Sequence, residues 1–149
     1  QSLFARTILD EKNGPPPEVN LFNEKNNGES ILNLIDKGYV KSAHDVSLGG
    51  LLVAISKMCI KGNKGIKINK PKSLINEIEY FFAEDQGRYL IEINKEDLKD
   101  VTKILDKNSV HHEELGIITQ NDMIINEKTK VTIDELKSYY TNWLSKFMS

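Results

Sequence analysis

Apolar and polar positions change rhythm several times along the chain, and each change predicts an element. Residues 2–9 (SLFARTIL) carry enough apolar side chains for a short packed helix or arm. Residues 10–28 contain Gly14-Pro15-Pro16-Pro17 and several asparagines, with Val19, Leu21 and Phe22 as the apolar anchors. Consecutive prolines enforce an extended path, so this stretch predicts a connector. Ile31, Leu32, Leu34 and Ile35 then recur at helical spacing, predicting a helix over 29–37 that Gly38 stops. Residues 39–47 read as a strand. From Leu51 the chain is apolar almost all round (Leu51, Leu52, Val53, Ala54, Ile55, Met58, Cys59, Ile60), which predicts a helix over 51–61 buried on more than one side. Gly62-Asn63-Lys64-Gly65 breaks it, and Ile66 and Ile68 alternate with lysines as a short strand.

A third helix is predicted from Pro71 and Ser73 through Leu74, Ile75 and Ile78 to Phe81-Phe82. The polar turn 83–87 leads into a strand over 88–93. Residues 94–107 form an amphipathic helix with Leu98, Val101, Ile104 and Leu105 inward. Strands follow over 111–119, 123–125 and 130–132, with a turn at Gln120-Asn121-Asp122. Thr132 and Glu135 have the spacing of a capping box. The closing helix places Leu136, Tyr139, Tyr140, Trp143, Leu144 and Phe147 on one broad face, as core or as an interdomain contact. Early crossover units and late hairpins together predict an α+β fold: a mixed β-sheet covered by helices, layered α/β/α. Residues 1–28 are expected to be an entry arm and connector, and 29–149 the domain proper.

Composition narrows the function. The chain of 149 residues suits one domain, and a net charge of −2 leaves no broad basic field for nucleic acid. No apolar run approaches the roughly 20 residues of a membrane span, and no targeting pattern opens the chain. The lone Cys59 excludes an internal disulfide and fits a reducing, cytoplasmic setting; its place in the apolar run marks a buried thiol, not a nucleophile. Because the first residue is Gln1, the chain reads as a piece of something longer.

Two clusters carry candidate chemistry. In the first, a strand delivers Asp45 and Ser47 to Gly49-Gly50 at the entry to an apolar helix, whose first amides have no partners within the helix. Such a junction suits an anion or a metal–phosphate group; the same residues also suit a plain N-cap with glycines for close packing. In the second, Glu84-Asp85-Gln86-Gly87-Arg88 forms a turn before a strand. Carboxylates from both loops suit a hard cation such as Mg2+, and Arg88 suits a phosphate or carboxylate; an ordinary solvated turn has the same composition. His44 and Asp45 are adjacent on a strand, so their side chains are expected on opposite sides with no acid–base pairing between them. His111 and His112 lack the spaced partners that zinc needs. No catalytic triad, Walker pattern or dinucleotide fingerprint is present.

The residues His44-Asp45-Val46-Ser47-Leu48-Gly49-Gly50-Leu51 closely resemble the HDVSxGGL signature of the phosphoribosylformylglycinamidine synthase large-subunit family, ligases of purine biosynthesis related to aminoimidazole ribonucleotide synthetase. Phe82-Ala83-Glu84-Asp85-Gln86-Gly87-Arg88-Tyr89 resembles the family's FGESQGRY turn. Ser2-Leu3-Phe4-Ala5-Arg6 and Gly14-Pro15-Pro16-Pro17-Glu18-Val19 resemble the segment entering its last domain, and the Trp143 helix stands where a member would end. The resemblance implies a C-terminal domain of the synthetase-like (PurM C-terminal-like) type. Leu48 stands where the family usually has Asp, and Asp85 where it has Ser.

Family members are similar to a duplicated protein. The resemblance implies, by pseudo-symmetry with the first half, that Asp45 would be a Mg2+ ligand. It implies that Ser47, Gly49, Gly50, Glu84, Asp85, Gln86 and Arg88 would face the phosphates of an auxiliary ATP or ADP. The family's catalytic histidines lie in the first half, so none is expected here and the domain alone should be inactive. The implied reaction of the whole enzyme turns formylglycinamide ribonucleotide, glutamine and ATP into the amidine, ADP, phosphate and glutamate. The implied partners are the preceding domains of the same polypeptide, a glutaminase subunit and a small accessory subunit. The competing expectation is a free-standing structural or nucleotide-binding domain, akin to hydrogenase-maturation or thiamine-phosphate kinase relatives.

Overall fold

The computed structural model describes residues 2–69 and 76–148. Its elements run α1 (Leu3–Thr7), α2 (Leu21–Asp36), β1 (Val40–Asp45), α3 (Gly50–Gly62), β2 (Gly65–Ile68), α4 (Glu77–Phe82), β3 (Tyr89–Ile93), a 3-10 turn (Lys95–Asp97), α5 (Leu98–Lys107), β4 (Gly116–Thr119), β5 (Asp122–Ile125), β6 (Thr129–Thr132) and α6 (Ile133–Met148). This is the mixed α/β composition expected. The chain divides into two compact units, Gln1–Ala54 with Phe81–Glu113, and Ile55–Tyr80 with Glu114–Ser149.

In the first unit β1 pairs antiparallel with β3, Ser42 opposite Glu92 and Asp45 opposite Tyr89. Ser42 Oγ donates to Glu92 Oε2 at 2.7 Å across the pair. Leu34, Val101 and Leu105 form the buried centre, with Tyr39, Val40, Ile91, Ile93, Ile104 and Val110 against it. Helix α2 starts two turns earlier than its apolar spacing predicts. Asn20 caps it, accepting from Asn23 N at 3.0 Å. Residues Asn23, Asn26, Asn27 and Gly28 are weak helix formers, and of these Asn27 is held by a tertiary bond to Gly87 O. Helix α2 ends as predicted at Gly38 (φ 76°), where Gly38 N donates to Ile35 O and Tyr39 N to Leu34 O. That pair of bonds is a Schellman motif, and Tyr39 packs on the core around Leu34 as the motif requires. Ser30, 1% exposed, is satisfied by Asn108 Nδ2 at 3.0 Å.

In the second unit four strands lie in the order β4-β2-β5-β6. Strand β2 runs parallel to β5 and antiparallel to β4, and β5 and β6 form a hairpin. The mixed sheet is therefore here, while β1 and β3 form a pair of their own. The strand predicted over 111–119 is confined to β4. Of the predicted third helix, Pro71, Ser73, Leu74 and Ile75 lie outside the described residues, and α4 holds Ile78, Phe81 and Phe82. Ile55, Cys59, Ile68, Met123 and Ile133 are buried. Burial pushes the Cys59 thiol up to about 11, so it is the inert thiol expected. The predicted capping box is present: Thr132 N and Oγ1 both donate to Glu135 Oε2, and Glu135 N donates back to Thr132 Oγ1. The apolar face of α6 is not core. Tyr139, Tyr140, Trp143, Leu144 and Phe147 are all exposed, Trp143 by 61%. No helix among the described residues is long and apolar enough to cross a membrane.

Candidate functional site

Both predicted clusters fall in the first unit, and the structure joins them. Strand β1 ends at Asp45, and the next residue, Val46, donates its amide to Arg88 O at 2.8 Å, so the two loops leave the paired strands side by side. Val46 is buried, while Asp45, Ser47 and Leu48 are exposed. A tight turn follows, closed by Gly50 N donating to Ser47 O at 2.9 Å, with Gly49 and Gly50 at φ 89° and 73°. Only glycine adopts that pair of values without strain. Gly50 also sits against the other loop: a Cβ there would lie 2.7 Å from Phe82 Cα and 2.9 Å from Ala83 O.

A carboxylate adds a side-chain contact between the clusters. Glu84 Oε1 accepts from Gly49 N at 2.8 Å, at the entry to α3, and from Leu3 N at 2.7 Å, at the start of α1. An acidic group is favoured where helix amides lack partners. The Phe4 ring stacks on Phe82 in the same place, centroids 4.3 Å apart. Arg88 Nη1 lies 3.5 Å from Asp85 Oδ2 within the turn. Gln86 and Ser47 are exposed.

One expectation is corrected. His44 and Asp45 do meet: His44 Nδ1 lies 3.4 Å from Asp45 Oδ1 and donates to the Asp45 carbonyl at 2.6 Å. Alternation sets the direction of each Cβ, but the imidazole reaches along the strand to its neighbour, and Asp45 is the last residue of β1. The pair is solvent-accessible on the Asp side, which makes it a weak surface contact.

Residues from α2 complete the neighbourhood and were not singled out by motif. Asn27 Nδ2 donates to Gly87 O at 2.9 Å, fixing the turn, and Glu24 Cγ sits 3.1 Å from where a Cβ on Gly87 would stand. Glu24 Oε1 is enclosed without a hydrogen-bond partner among the described residues. The only sequence signal for these two was their place in a stretch that read as connector. Leu3 takes part through its backbone amide, which no residue type advertises. Among the described residues no three His, Cys, Asp or Glu side chains converge as a metal cage. Asp45 remains an exposed carboxylate at the end of β1, the kind of single ligand that Mg2+ takes when phosphates and water complete its shell.

The family model described as "AIR synthase related protein, C-terminal domain" matches residues 1–126. The chain belongs to this family. It is 64% identical over 148 residues to the phosphoribosylformylglycinamidine synthase subunit PurL of Pelagibacter ubique (strain HTCC1062), an alignment covering 99% of this chain and 20% of that protein. The chain thus spans about a fifth of the length of the curated relatives it matches. Among solved structures, T. maritima PurL complexed with FGAR superposes with a TM-score of 0.72 at 20% identity, covering 89% of this chain and 24% of that one. T. maritima PurL complexed with ADP gives 0.69 at 20% identity, covering 80% and 22%. At that identity the likeness establishes the fold of this AIR synthase related domain.

Proposed function

We propose that this chain is the C-terminal domain of a phosphoribosylformylglycinamidine synthase, and that it walls a nucleotide cleft there without carrying the chemistry. The observation that carries the reading is the 64% identity to the Pelagibacter subunit across 99% of the chain. The whole enzyme would be an ATP-dependent ligase of purine biosynthesis, cytoplasmic, with glutamine as amido donor. Its partners would be the other domains of the polypeptide, a glutaminase subunit and a small accessory subunit. The exposed aromatic face of α6 supports such packing, since a face of that size is more apolar than a solvent-facing helix needs.

Within the cleft, Asp45 would hold Mg2+, and Ser47, Gly49, Gly50, Asp85, Gln86 and Arg88 would surround the phosphates of ATP or ADP, with Glu84 beside them but committed to the Gly49 and Leu3 amides. The ADP complex of the T. maritima protein, whose fold this domain shares, supports a nucleotide as the ligand. Mg2+ would supply charge neutralisation when bound. The residues of this chain orient and enclose: Arg88 is half-buried with its guanidinium toward the turn, and the Gly49-Gly50 backbone leaves no side chain in the way. Two experiments test the reading. The 149-residue chain alone should form no amidine from formylglycinamide ribonucleotide, ATP and glutamine, and measurable turnover would refute the supporting role. Titration with Mg2+ and ADP should show saturable binding that Asp45→Ala weakens; binding indifferent to that substitution would move the site elsewhere.

A further inference from the structure

The entry to α3 is already filled, and by the chain itself. A single oxygen, Glu84 Oε1, accepts from Gly49 N at 2.8 Å and from Leu3 N at 2.7 Å. Leu3 is the first residue of α1, a helix of five residues. A helix of that length has no stability of its own and persists only through what holds its ends and one face. Three contacts hold its N-terminal end and its face here: the Glu84 carboxylate on Leu3 N, the Ser2 Oγ cap accepting from Ala5 N at 3.2 Å, and the Phe4–Phe82 stack. Two of the three come from the 82–84 segment, against which the Gly50 backbone is also pressed. The same short segment therefore grips the arm on one side and the glycine turn on the other.

We propose that Glu84 is a latch that fastens α1 as a strap over the entry to α3. The carboxylate is the resident ligand of the Gly49 amide, and it is shared with the arm, so the two ends are held or released together. On the nucleotide reading given above, on which this step rests, a phosphate oxygen that takes the Gly49 amide competes with Glu84 and unfastens α1. Glu84 is then a positioning residue that regulates access, not a contact to the nucleotide.

Hydrogen exchange read by mass spectrometry on peptides covering residues 2–11, in the intact natural polypeptide, tests the latch. The amides that report are those bonded within the arm, Arg6 to Ser2 O and Ile8 to Phe4 O. Glu84→Ala removes the acceptor and should raise arm exchange about tenfold, the scale of a lost hydrogen bond to a charged group. Glu84→Gln keeps a neutral acceptor and should fall between Glu84→Ala and the unsubstituted chain. Leu3→Pro deletes the donor at a position where proline is tolerated, because Leu3 is the first helical residue and Ser2 is extended (φ −76°, ψ 159°). It should loosen the arm as Glu84→Ala does, whereas Leu3→Ala keeps the amide and should loosen it less. Arm exchange unchanged in Glu84→Ala and Leu3→Pro overturns the latch, as does equal loosening by Leu3→Ala and Leu3→Pro.

Adding Mg2+ and ADP separates this proposal from the site reading beneath it. Saturation with ADP should raise arm exchange in the unsubstituted polypeptide, and Glu84→Ala should bind ADP at least as tightly. Saturation with the arm still protected, or weaker ADP binding by Glu84→Ala, overturns the displacement alone. Absence of binding in both proteins overturns the nucleotide reading, and the displacement with it.

Discussion

Replacing Gly50 by alanine tests whether the glycine turn owes its composition to the backbone approach described above. At φ 73° an L-residue sits in the left-handed region, at a cost of about 1–2 kcal/mol. The new methyl group would stand 2.7 Å from both Phe82 Cα and Phe82 C and 2.9 Å from Ala83 O. All three are backbone atoms, so no rotamer change relieves the contact. Overpacking of that kind adds about 1–3 kcal/mol. The reduced entropy of the unfolded chain returns about 0.4–1 kcal/mol. The net expectation is a loss of about 2–4 kcal/mol, a large share of the about 5–15 kcal/mol that holds a domain together.

Gly38 supplies the control. Its φ is 76°, almost the same, but among the described residues nothing lies within 4 Å of the position a Cβ would take. Gly38→Ala should therefore lose only the backbone part, about 1 kcal/mol. Urea unfolding followed by circular dichroism measures both. With a slope of about 2 kcal/mol per molar urea, the Gly50→Ala midpoint should fall by about 1–2 M and that of Gly38→Ala by about 0.5 M, at unchanged slope. Equal midpoints for the two variants would refute the close approach of the Phe82 backbone, since φ is the only strain they share.

Other consequences can be checked separately. Ser109 occupies the left-handed position (φ 55°) of a second Schellman motif, in which Val110 N donates to Leu105 O and Ser109 N to Asp106 O; Ser109→Gly should stabilise by about 0.5–1 kcal/mol in the same urea assay. Cys59, buried and with its thiol raised to about 11, should resist a disulfide-exchange reagent at pH 8 in the folded chain and react once urea unfolds it. Hydrogen bonds from Thr132, first the backbone amide and then the hydroxyl, hold the Glu135 carboxyl below its ordinary 4.5. Because the folded value is the lower one, the cap is complete above 4.5 and is lost as pH falls through the depressed value. An NMR titration of Glu135 should show a midpoint below 4.5 that rises toward it in Thr132→Ala; a midpoint at 4.5 in the unsubstituted chain would contradict the capping box.

What the sequence made legible is what local chemistry encodes. The Gly38 stop, the Thr132–Glu135 box, the buried Cys59 and the apolar helix α3 each follow from a few neighbouring residues, and each stands where the pattern puts it. What it hid was set at long range. The first turns of α2 are rich in asparagine and read as connector, yet Asn27 is tied to Gly87 across 60 residues of sequence. The separation of β1 and β3 from the four-stranded sheet depends on which strands pair, and alternation within a strand carries no information about partners. The two motif clusters were readable as chemistry, but their junction through Glu84 and the Leu3 amide was not, because a backbone donor has no residue type.

That junction also decides which residues can distinguish architecture from ligand binding. The glycine pair cannot: φ values and the Phe82 backbone already require Gly49 and Gly50, with or without a nucleotide. Glu84 cannot by itself, since it is committed to two amides of the chain. Leu48 is 62% exposed, so an apolar residue there neither fills a core nor closes a site. Asp45 is different. Its carboxylate is exposed at the end of β1, where it meets the His44 imidazole at 3.4 Å in a surface contact. Such a pair contributes about 0–1 kcal/mol, so Asp45→Ala should leave the urea midpoint within about 0.5 M of the unsubstituted chain. Packing among the described residues gives no reason for an acid at this position; the proposed phosphate-bound cation would. Loss of Mg2+–ADP binding in a variant of undiminished stability would tie the junction to its ligand; a marked loss of stability would show that Asp45 serves the fold instead.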